Sequence, residues 1–183
     1  MALISARTII TSLSLFHLTL AYFFLASPKT INDQALVYVL GASMGMPDVR
    51  GFEVQSPALA LVAVVLALLG LGDLVSLSMP DDVVLLYHWG TQAPLRFTFS
   101  MILVVYSYVF GPSSPLFSGS ATSNRGPRLS PSSTSTGDGL KNRVVFTLMF
   151  VEMCSWFWVW ITIREERQAV VEKLAKEHGE HQH

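Results

Sequence analysis

Long apolar runs separated by short polar turns set the plan of this chain. Ser56 to Met79, SPALALVAVVLALLGLGDLVSLSM, is nearly uninterrupted. About twenty such residues cross a ~30 Å hydrocarbon layer at 1.5 Å per residue. Ser56 followed by Pro57 suits an N-cap with proline at the first helical position. Three further runs predict spanning helices: Thr8–Ala26, Pro94–Phe110 and Val144–Ile163. Arg7 ahead of the first run also fits a signal peptide. That run is long for one and lacks a small-x-small end, so it reads as an uncleaved span closed by Ser27-Pro28.

The segments between the spans are of other kinds. Within 32–47, the apolar part Ala35–Met46 holds about a dozen residues, too few to cross, and reads as an interfacial or re-entrant helix capped by Asn32 or Asp33. Gly41 and Gly45 there match a small-x-x-x-small spacing. Pro47 to Gln55 is a polar turn. Ser78-Met79-Pro80-Asp81 resembles a capping box opening a second short surface helix within 81–90, with Tyr87, His88 and Trp89 suited to the interface. Serine, threonine, proline and glycine dominate residues 111–142, so a disordered loop is expected. Residues 143–183 are expected to form the last span, continuing as a helix into the charged tail to about His178. The expected architecture is all-α. It is a polytopic, four-transmembrane-helix bundle built from residues 1–110 and 143–183, with short interfacial helices and a helical C-terminal tail.

Composition agrees with a membrane class. Of 183 residues, 51% are hydrophobic and 14% charged, against about 25% charge in soluble domains. A net charge of −1 supplies no basic field for nucleic acid. The single cysteine, Cys154, excludes an intrachain disulfide. Its apolar context reads as that of a buried small hydrophobe.

A few polar residues inside the apolar runs are the candidate sites. Asp73 lies behind Gly70 and Gly72 near the end of the second span, and Arg96 lies in the first turn of the third. Antiparallel neighbours joined by a short link bring both to one membrane face at similar depth, where a guanidinium can bind a carboxylate bidentately. Arg96 snorkelling to lipid phosphate, with Asp73 left to water, is the alternative. His17 and Glu152 each lie halfway along their spans, so a His17–Glu152 pair is sterically open if those helices touch. Intramembrane titratable groups are functional candidates by default. The plainer reading makes both pairs fixers of helix register. Trp156, Trp158 and Trp160 read as an aromatic belt at the membrane interface.

Nucleotide-binding, zinc-protease, nucleophile-elbow and C-x-x-C motifs are absent. His178, His181 and His183 fall in a fraying tail, so no metal or other cofactor is expected. No nucleophile or oxyanion donor cluster accompanies the polar pairs, and the chain reads as non-enzymatic. The twelve lysines and arginines divide evenly between the two sides of a four-span topology. Termini in the cytosol are the working orientation.

The stretches LAYFFLASP, VYVLGASMGMP, SPALALVAVVLALLGLGDLVSL and PLRFTFSM resemble the fungal family named for increased loss of mitochondrial DNA. The resemblance runs over nearly the whole chain outside the 111–142 loop, and Asp73 in GLGDL and Arg96 in PLRF are its typical positions. It implies a small multispanning protein of the endoplasmic reticulum membrane, with no defined ligand or activity. Two functions follow as expectations. One is a structural or adaptor subunit in membrane and lipid homeostasis, held in the lipid bilayer beside a membrane-protein partner, with an indirect effect on mitochondrial DNA. The other is an ion or metabolite conduit, or an intramembrane enzyme, built on His17, Glu152 and the Asp73–Arg96 pair. The second requires these groups to border one connected cavity.

Overall fold

A computed structural model of the chain describes residues 4–79, 87–110 and 138–180. Among them every regular element is helical: α1 (Ala6–Ala26), α2 (Pro28–Asn32), α3 (Ala35–Ser43), α4 (Pro57–Ser76), α5 (Trp89–Val109) and α6 (Arg143–Glu180), with single 3-10 turns at Arg50–Phe52 and Asp138–Leu140. The expected capping box at Ser78–Asp81, most of segment 81–90 and most of the 111–142 loop lie outside the described residues.

Local chemistry sets the helix ends. The Ser5 hydroxyl accepts the Thr8 N–H and the Ser56 hydroxyl accepts the Leu59 N–H, each opening a long helix. Asn142 caps α6 through its side-chain oxygen and the Val145 N–H. The segment 32–47 holds one short helix, α3, preceded by the single-turn α2 that follows Ser27. Neither Asn32 nor Asp33 caps α3: its N-cap is Gln34, which makes no side-chain cap bond. The Asn32 amide donates instead to Asp48. α3 ends in a Schellman turn, with Met46 N–H to Gly41 O at 2.8 Å and Gly45 N–H to Ala42 O at 3.1 Å. Gly45 sits at φ 65°, which a β-carbon disfavours. Arg143, the first residue of α6, fastens this turn. Its Nε donates to the Met46 carbonyl, and its guanidinium lies 5.5 Å from the Tyr38 ring centroid.

The bundle is two antiparallel pairs, α1 on α4 and α5 on α6, joined by lighter contact of α1 with α6. Side-chain bonds tie the ends of the first pair. Arg7 donates to the Leu77 carbonyl just past α4, and Gln55 donates to the Leu25 and Ala26 carbonyls at the end of α1. Ala6 N–H donates to Glu166, so the start of α1 and the late part of α6 share one end of the bundle. The core is split accordingly. One apolar cluster, around Ile10, Trp89, Trp156 and Ile163, fills that end, and another, around Phe24, Ile31, Leu59 and Val144, fills the opposite end.

Among the described residues three helices, not four, are long and apolar enough to cross a membrane: Ala6–Ala26, Pro57–Ser76 and the first part of α6, Arg143–Gln168. α5 has the length, at 21 residues, and runs along α6. It starts five residues earlier than Pro94, and its first turns add Thr91 and Gln92 to Arg96, which together dilute its apolar character. The outward faces of α4 and α5 are apolar nonetheless, with Leu61, Val64, Leu68 and Ile102 among their exposed residues, as suits contact with lipid tails.

Gly70 marks the closest approach of α1 and α4. A β-carbon there would sit 2.8 Å from the Ser14 carbonyl oxygen and 3.1 Å from Leu18, whereas one at Gly72 would meet nothing within 4 Å. Gly70→Ala is therefore expected to destabilise by about 1–3 kcal/mol through overpacking against backbone. Gly72→Ala should stabilise by up to about 1 kcal/mol through helix propensity. Thermal unfolding of the two variants in one detergent checks the contrast; a loss at both positions would refute the close approach.

Candidate functional site

Asp73 is carried inward on the last turns of α4 and is 2% exposed. Arg96, two turns into α5, meets it with both terminal nitrogens: Nη1 to Oδ2 at 2.7 Å and Nη2 to Oδ1 at 2.8 Å. This fork-on-fork geometry is the strongest form of the pair. It joins α4 and α5, which are at most lightly packed on each other. The guanidinium lies over two indoles, 4.7 Å from the Trp156 centroid and 5.6 Å from that of Trp89. The two indoles stack at 5.6 Å and 18°. Arg96 is thus matched by a carboxylate and by aromatic faces at once.

Trp156 turns its other function inward. Its Nε1–H donates to Glu152 Oε2 at 2.7 Å, one helical turn back along α6. The second carboxyl oxygen of Glu152 lies 2.5 Å from His17 Nε2 on α1. Asp73, Arg96, Trp156, Glu152 and His17 therefore form one continuous belt through α4, α5, α6 and α1. Sequence reasoning had two separate pairs and no connector. It placed Trp156 in an interfacial belt, whereas the side chain is 1% exposed. The available signal was its position four residues after Glu152, which puts both on one face of a helix. Trp158 does face outward. Cys154 is also corrected: its side chain is exposed on α6 rather than buried, because the helix turns residue 154 away from the face that carries Glu152 and Trp156.

Beside the belt lies a cavity of about 430 Å³, within the size range of small-ligand sites. His17, Glu152, Arg96 and Ser100 border it, and the remaining lining is apolar. Its mouth is lateral: Leu69 of α4 and Leu95 and Phe99 of α5 both line the cavity and stand exposed on the outer surface. Within the site, His17 Nδ1 and the Trp89 indole N–H are buried without a partner among the described residues. No group of three or more histidine, cysteine or acidic residues is placed to hold a metal among those residues. The His17–Glu152 contact can pass a proton between imidazole and carboxylate. The remaining belt bonds bind and orient.

Apolar helices with their few charges matched inside the bundle define a helical membrane protein with a buried polar belt. The family model described as increased loss of mitochondrial DNA protein 1 matches residues 4–173. The chain belongs to that family. Neither a curated protein nor a solved structure matches it.

Proposed function

We propose that this chain is a non-enzymatic multi-pass protein of the endoplasmic reticulum membrane, a structural or adaptor subunit in membrane and lipid homeostasis. Its effect on mitochondrial DNA maintenance is indirect, and both termini face the cytosol. The reading is supported above all by the belt. Arg96 bonds Asp73, Glu152 bonds His17 and Trp156, and the Trp156 ring lies against Arg96, an arrangement that holds helices in place. Purification of the tagged chain from its own membrane in a gentle detergent, read by mass spectrometry, tests it. A stoichiometric membrane-protein partner is expected. A monodisperse chain with no partner in native lipid would overturn the adaptor role.

One observation favours a second reading, a small ion or metabolite conduit or an intramembrane enzyme: both polar pairs contribute to the border of a single cavity. A conduit needs water there. In a Cys154→Ser background, Ser100→Cys would then react quickly with a charged, membrane-impermeant thiol reagent. Resistance to it would remove this reading.

A further inference from the structure

The geometry points to the central cavity as a lipid site: we infer that it takes one acyl chain of a neutral, hydroxyl-bearing lipid of the monoacylglycerol or diacylglycerol class. The entrance is the first reason. Leu69, Leu95 and Phe99 are 41%, 64% and 61% exposed while lining the cavity, so the gap between α4 and α5 opens sideways, on faces built to meet lipid tails. A ligand arriving there comes from the bilayer.

Shape selects a chain over a rigid ring system. Leu20 and Leu148 line the central cavity and also a second one of about 280 Å³ between α1, α2, α3 and α6, walled by Phe16, Phe23, Ile31 and Val37. These two leucines form the partition. An elongated, flexible tail can pass between them and occupy both spaces.

Charge selects the head. Arg96 is matched bidentately by Asp73, and any charge on His17 is matched by Glu152. The belt therefore presents no surplus cation, and an anionic head would lie beside the Glu152 carboxylate. What the cavity does offer is hydrogen bonding. The Ser100 residue is buried at its edge. Its hydroxyl has no hydrogen-bond partner among the described residues. A glycerol hydroxyl or ester oxygen can satisfy that group while the acyl chain fills the apolar part. The site depends on neither reading above: loss of a protein partner leaves the pocket, and an empty pocket leaves the adaptor role.

Photolabelling of the full-length protein in membranes tests it. The probe is a monoacylglycerol with a diazirine in its acyl chain; the free fatty acid with the same chain and a diazirine sterol serve as comparisons. Labelling of the peptide holding Leu148 and Met149 is expected to saturate and to be competed by unlabelled monoacylglycerol. Leu148→Trp, which fills the partition, should cut that yield at least about fivefold. Ser100→Ala, which breaks no bond within the protein, should cut it about threefold, the equivalent of one modest hydrogen bond. Val64→Trp on the outer face should leave it unchanged. If Leu148→Trp fails to fold, Ser100→Ala and the competition decide. Equal yields in wild type and Ser100→Ala, labelling that does not saturate, or equal labelling by the fatty acid or the sterol would each overturn the assignment.

Discussion

Asp73→Asn is expected to cost about 3–5 kcal/mol of stability, the range for breaking a buried ion pair from one side. The cost falls on Arg96. Its guanidinium would remain between α4 and α5, over Trp89 and Trp156, with its carboxylate gone. The double variant Asp73→Asn with Arg96→Gln should lose less than Asp73→Asn alone, because two amides can bond each other and no charge is stranded. A coupling energy above about 1 kcal/mol is expected. Equilibrium unfolding in mixed micelles, run as a double-mutant cycle, measures it. Additive losses would mean that the two residues contribute independently, and the bridge would then not be what joins the helix pairs on that side.

Trp156→Ala carries the other large effect. The indole stacks on Trp89, underlies Arg96 and donates to Glu152, so one truncation opens a cavity and cuts the belt in two. In soluble cores such truncations cost about 3–5 kcal/mol. Lipid tails resemble the core, so the lower end is expected here, where packing and hydrogen bonding rather than water exclusion hold helices together. Trp156→Phe separates the contributions. It keeps most of the stacking and removes only the N–H bond to Glu152, for a loss of about 1 kcal/mol. Thermal unfolding of both variants checks the ordering. A phenylalanine as damaging as alanine would place the energy in the hydrogen bond instead of the packing.

Much of the site was legible because helices convert sequence spacing into depth. Asp73 stands a turn and a half before the end of its apolar run and Arg96 sits close to the beginning of another, so a short antiparallel connection leaves them at one level. His17 and Glu152 follow from the same count at mid-run. Counting depth fixes the height of a residue but not its direction around the helix. Trp156 and Cys154 were misjudged for that reason: each lies in a uniformly apolar segment whose composition is the same on every side. α5 was misjudged as an apolar span starting at Pro94. α5 is already helical at Trp89, which stacks on Trp156, a contact local hydropathy does not record. The turn that closes α3 after Gly41 likewise involves Arg143, far off in the chain.

By itself the sequence determined the helical class, the apolar runs, the cap at Ser56, and the levels at which Asp73, Arg96, His17 and Glu152 lie. These rest on one-dimensional quantities: the length of an apolar run and the rise per residue. The tertiary structure alone decided that α1 pairs with α4 and α5 with α6, that Trp156 joins the polar residues into one belt, and that a cavity opens sideways beside it. Those features depend on the rotation of each helix about its axis. In a chain apolar on nearly all sides, that rotation is set by a few contacts such as Gly70 against Ser14 and Arg96 against Asp73, not by a hydrophobic stripe.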